Sequence, residues 1–120
     1  MINKKIFTII AITLILIIGF FIGLYIIGIR SEPYFVALKF IDSNKTVFEE
    51  VGTLKSRRLA FFGYSVRYNG PQGYAEYRVI VKGDQDEGEV YLELEKTTGV
   101  WKVVSANLKL DNKRTVNLFE

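Results

Sequence analysis

The chain contains no cysteine and no histidine among its 120 residues. Without cysteine there is no disulfide, no thiolate nucleophile and no thiolate metal site. Without histidine the commonest general base and the commonest transition-metal ligand are missing. Ser65 and Ser105 have no base to activate them except lysine, so no enzyme and no bound cofactor is expected. An excess of one charge is also lacking. The net +3 falls to +1 once Lys4 and Lys5 are set aside, because 14 bases then face 13 acids over residues 30–120. Such a balance gives no basic face for nucleic acid.

What is present in abundance is one apolar run. Ile6 to Ile29 holds 24 residues without a charge. As a helix it reaches about 36 Å, enough to cross a bilayer core with some tilt. Only a helix satisfies the backbone of such a run in lipid. A cleavable signal peptide has a shorter apolar region of roughly 7–15 residues and small residues before the cut, and an organellar transit peptide is rich in Arg and Ser. Neither pattern occurs here. The expected organisation is a cytoplasmic N-terminus at 1–5, a transmembrane anchor at 6–29 and an extracytoplasmic domain at 30–120. Lys4 and Lys5 precede the anchor, whereas Arg30 is soon offset by Glu32, and the positive-inside tendency sets this orientation. Gly19 and Gly23 form a GxxxG spacing in an otherwise bulky helix, which permits close packing against another helix.

After the anchor, Ser31–Glu32–Pro33 marks a break, with Ser31 or Glu32 able to cap a helix beginning there. Tyr34, Ala37, Leu38 and Ile41 fall at i, i+3, i+4 and i+7, which predicts an amphipathic helix. Asn44 is the expected N-cap of a second short helix presenting Val47, Phe48 and Val51 to the core. Gly52 is expected to end it in left-handed geometry. From Leu59 the period changes to two, with a bulge at Gly63. Ala75, Tyr77, Val79 and Val81 alternate in one segment and Val90, Leu92 and Leu94 in the next. A phase slip at Val103–Val104 points to a second bulge there or to a strand covered on both faces, and a short strand is expected last. The expected class is α+β: one or two short helices on an antiparallel meander of four to five strands.

The acidic stretch KGDQDEGEV (82–90) resembles a calcium loop in the spacing of Asp84 and Asp86. The sixth position, where such a loop needs glycine, is Glu89, and the segment continues as an alternating strand. A hairpin tip is expected instead, with Gly83 and Gly88 supplying positive φ. Glu76, Glu93 and Glu95 share one sheet face and read as solvated cross-strand neighbours of Arg78 or Lys82. Lys55, Arg57 and Arg58 form the one local basic cluster. It is expected as a solvated loop, or as a contact for anionic headgroups or an acidic partner. Trp101, two residues after the turn glycine Gly99, is expected in the core, the alternative being an exposed aromatic anchor.

Placed together, YFVALKFIDSNKTVFEEVG and YAEYRVIVKGDQDEGEVYLELEKTTGVWKVVSANLKL resemble the cytochrome oxidase complex assembly protein one family. Its domain is related to a presequence-translocase subunit of the mitochondrial inner membrane. The resemblance rests on Tyr34, Ala37–Leu38, the run ending at Gly52, Ala75, Val81 with Gly83, Gly88, and Gly99–Val100–Trp101. These are turn and core positions. The resemblance implies a non-catalytic, single-anchor accessory or assembly protein that binds an integral membrane complex of respiratory, cytochrome oxidase type. Together with the residue types that are missing and the balanced charge, this leads to the expectation of no cofactor, no small-molecule substrate and no nucleic acid. The anchor near residue 1, without a mitochondrial targeting segment, leads to the expectation of a bacterial inner-membrane version. The alternative is a stand-alone envelope-tethered protein that neutralises a ligand or toxin, or responds to stress.

Overall fold

The computed structural model describes residues 3–119. Three helices precede one sheet. Helix α1 (Lys4–Ile29) is followed after two residues by α2 (Glu32–Ser43) and then α3 (Lys45–Val51). The strands are β1 (Leu54–Asn69), β2 (Gln72–Gly83), β3 (Glu87–Thr97), β4 (Val100–Leu110) and β5 (Thr115–Asn117). Every neighbouring pair is antiparallel and the order in the sheet is the order in the chain, a simple meander. This is the α+β class the sequence predicts, with all five strands present.

The core lies between one sheet face and the two short helices. From the sheet it takes residues such as Tyr77, Val79, Val90, Leu92 and Leu108; from the helices, Tyr34, Ala37, Ile41, Val47 and Val51. The alternation in β2 and β3 puts the expected residues inside, and α2 buries its predicted stripe, with Leu38 partly exposed. Trp101 is 4% exposed and meets Tyr68 edge-on at 6.0 Å, so its core reading holds. Pro33 stands in the first turn of α2, where its missing N–H costs nothing. Asn44 caps α3 as expected, accepting from the Val47 N–H at 3.1 Å, and its amide also donates to the Leu118 carbonyl at 3.1 Å. One side chain thus starts a helix and pins the end of the chain.

Phe48 departs from expectation: it is 61% exposed, because α3 is only seven residues long and already docks through Val47 and Val51. Strand β1 begins at Leu54, not Leu59, so Lys55, Arg57 and Arg58 lie on a strand and not in a loop. Pairing of Ser56, Arg57 and Arg58 with Lys82, Val81 and Ile80 explains this, since cross-strand bonds override weak local propensity. Gly52 has φ of 84° but ψ of −157°, so it ends α3 with positive φ and an extended ψ, outside left-handed helical geometry. Both bulges are present: the β1–β2 register breaks between Leu59 and Tyr64, around Gly63, and the β3–β4 register skips Val104.

The acidic hairpin tip has a structural task. The N–H groups of Gln85 and Asp86 donate to the Val51 carbonyl at 3.0 and 3.3 Å, satisfying the C-terminal end of α3. Asp84 Oδ1 accepts from the Thr53 N–H at 3.1 Å, and Asp86 Oδ1 from the Glu87 N–H at 2.8 Å. Gly83 and Gly88 do not adopt positive φ. They are glycines for lack of space: a Cβ at Gly83 would overlap the Val51 carbonyl, and one at Gly88 would stand 2.5 Å from that of Lys109.

Candidate functional site

Two surfaces carry features that the core does not explain. The first is the junction of α1 with β1. Phe21, Leu24, Tyr25 and Gly28 recur at i, i+3, i+4 and i+7, which aligns them on one side of the helix. Against them stand Phe61, Phe62 and Tyr64 of the β1 bulge. Phe62 meets Phe21 edge-on at 5.3 Å, Phe61 stacks on Tyr25 at 5.9 Å, and the two phenylalanines touch each other at 4.6 Å. The Tyr25 hydroxyl donates to the Leu59 carbonyl at 3.0 Å, and the Tyr64 hydroxyl donates to the Leu24 carbonyl. Gly28 is the buried glycine of α1, pressed by the Tyr64 ring.

Gly19 and Gly23 are elsewhere on the helix. At about 100° per residue their mean direction lies about 170° from the Phe21–Leu24–Tyr25–Gly28 side. Nothing comes within 4 Å of a Cβ built on either. The head of the protein therefore occupies one side of α1 and the GxxxG pair faces the other. The helix is long and apolar enough to cross a membrane, and its central window carries no buried residue.

The second surface is the sheet face that the helices leave uncovered. It forms an open concavity of about 440 Å³, whose floor includes Glu76, Arg78, Tyr91, Glu93, Ser105 and Asn107. Glu76 and Glu93 are direct cross-strand partners, as are Arg78 and Tyr91. Two carboxylates opposite one another are mildly destabilising on an isolated sheet. Tyr74 donates to Glu76 and Tyr91 to Glu89, each at 2.9 Å. The bond to Glu76 pushes the Tyr74 hydroxyl up to about 12, and the bond to Glu89 raises that of Tyr91. Both phenols are thus held as hydrogen-bond donors. The Arg78 Nε is buried and has no hydrogen-bond partner among the described residues.

The basic cluster is divided. Arg57 makes a two-pronged ion pair with Asp42 of α2, at 2.7 and 2.8 Å, which raises its own pKa, first through that hydrogen bond. Arg57 therefore ties β1 to α2. Lys55 and Arg58 remain exposed on the strand. Gly52 and Gly99, both at φ of 84°, close a helix and a turn. Among the described residues no group of three or more carboxylates is gathered in a way that could hold a metal ion.

Sequence reading missed the aromatic seam and the Glu76–Glu93 register. The first left a signal, the 21/24/25/28 spacing, but a helix that is apolar all round hides which side is special. The second follows only from strand register.

The comparisons give the chain a family. No curated protein and no solved structure matches the chain. The family described as cytochrome oxidase complex assembly protein 1 matches residues 4–120, the helix and the whole of the α+β head together. The chain belongs to the cytochrome oxidase complex assembly protein 1 family, and that membership implies a role in cytochrome oxidase assembly.

Proposed function

We propose that the chain is a non-catalytic, single-pass membrane protein that binds a respiratory membrane complex during its assembly. On this reading α1 spans the bilayer with Lys4 and Lys5 at the cytoplasmic surface. The head stands outside, and the membrane is the bacterial inner membrane. The observation that carries the reading is the two-sidedness of α1. One side is docked to the head, while the opposite side bears Gly19 and Gly23 in open space. Without a hydrophobic drive between helices in lipid, small residues that let backbones approach are a common basis for association. Outside the membrane, the concave sheet face offers paired carboxylates and the Arg78 guanidinium to a polar partner surface.

Membranes solubilised in mild detergent and separated under native conditions test this. The chain is expected to migrate with an oxidase-type complex or its intermediates. Migration alone in every detergent overturns the reading and favours a stand-alone envelope protein. Replacing both Gly19 and Gly23 by Leu is expected to release the chain from the complex while leaving it in the membrane.

A further inference from the structure

Phe61 and Phe62 are the least expected residues of the head. They sit in the β1 bulge, 52% and 69% exposed, although both rings already contact α1. Phe62 also holds φ at 60°, a left-handed conformation that is strained for a non-glycine residue. A soluble head gains nothing from a strained bulge that presents two adjacent phenylalanines to water.

The length of α1 explains them. From Ile6 to Tyr25 the helix rises about 28 Å, close to the hydrocarbon thickness of about 30 Å. The remaining apolar residues, Ile26 to Ile29, are more than that thickness needs. With Lys4 and Lys5 at one surface, the other surface falls near Phe21 to Tyr25. That is the level at which Phe62 and Phe61 pack on the helix. Tyr25 and Tyr64, whose rings are apolar and whose hydroxyls are hydrogen-bonded, stand at the same level, as aromatic residues do at membrane–water boundaries.

We infer that the Phe61–Phe62 bulge is a second membrane contact, seated in the outer interfacial layer of the bilayer that α1 crosses. Its occupant is lipid, and it works beside the span as an interfacial wedge that fixes the height of the head. This rests on the reading of α1 as a span. The bulge is continuous with the helix surface, so the two contacts form one apolar collar, and the strain at Phe62 is offset by burial of its ring among lipid chains.

The absence of cysteine makes the test direct. Single variants Phe62→Cys, Phe61→Cys, Ile15→Cys and Val104→Cys of the full chain are labelled with an environment-sensitive fluorophore. They are reconstituted in phosphatidylethanolamine–phosphatidylglycerol vesicles. Ile15 lies at mid-span and Val104 is exposed on β4. Probes at Phe61 and Phe62 are expected to emit to the blue of Val104. They should be quenched about twofold more by a nitroxide near the headgroup than by one near the chain ends. The Ile15 probe should show the reverse order, and Val104 should respond to aqueous iodide alone. If Ile15 is quenched by the deep nitroxide while Phe61 and Phe62 behave like Val104, or are quenched mainly from the deep position, the wedge is overturned and the span stands. If Ile15 shows no lipid quenching, the span itself is overturned, and the wedge with it.

Discussion

The ring of Tyr64 is pressed on the backbone of Gly28, so closely that a Cβ there would stand 2.5 Å from it. The tyrosine hydroxyl then donates to the Leu24 carbonyl, one turn earlier. Ring and hydroxyl together lock strand to helix. Gly28→Leu is expected to expel the ring and destabilise the junction by about 1–3 kcal/mol. Thermal unfolding of the detergent-solubilised chain measures it. Gly19→Leu and Gly23→Leu, with nothing nearby, should leave the midpoint unchanged.

Two kinds of glycine should respond differently to alanine. At Gly83 a Cβ would overlap the Val51 carbonyl, which the loop also uses as an acceptor, so Gly83→Ala should cost about 3 kcal/mol or more. At Gly70 there is open space and φ is 62°, so Gly70→Ala should cost only about 1–2 kcal/mol of backbone strain. Urea midpoints of the two variants should fall in that order.

Glu76 and Glu93 face each other across β2 and β3. Glu93→Gln should stabilise the isolated chain by a few tenths to about 1 kcal/mol, and added salt should shrink the gain. If the concave face is the partner surface, the same variant should weaken recovery with the respiratory complex. A variant that is more stable alone yet binds less well separates the two roles.

Tyr77 is buried, and burial pushes its hydroxyl from the usual 10.0 up to about 12. Because the folded pKa lies above the unfolded one, the phenol favours the folded state fully below pH 10. That contribution is lost as pH rises from about 10 through about 12. Alkaline titration followed by phenolate absorbance should show late tyrosines ionising together with loss of the fold. Tyr77→Phe should narrow that pH dependence while removing the 2.7 Å contact with Ser31.

Much of the head was legible because one sheet face is wet and the other dry. The alternation through Ala75, Tyr77, Val79 and Val81 records that difference, and the slip at Val103–Val104 records the bulge. Asn44 was legible because capping needs a short oxygen-bearing side chain at one place. The segment Lys55–Arg58 was not, since a strand under an ion pair and beside solvent reads as charge in any conformation. Gly83 and Gly88 showed their identity but not their reason. Crowding depends on which distant backbone passes by, and no local pattern carries that. The seam on α1 stayed hidden for the opposite reason: where nearly every residue is greasy, no residue stands out.

Only Arg30 and Ser31 separate α1 from α2, and the Ser31 hydroxyl donates back to the Gly28 carbonyl at 2.7 Å. There is no leash. If α1 spans the bilayer as proposed, a head so mounted keeps the tilt and height it acquires on folding, and a search for a partner in the same lipid sheet becomes a problem of sliding and turning in a plane. Little tumbling freedom is left to lose on docking, and even a modest contact area could then hold.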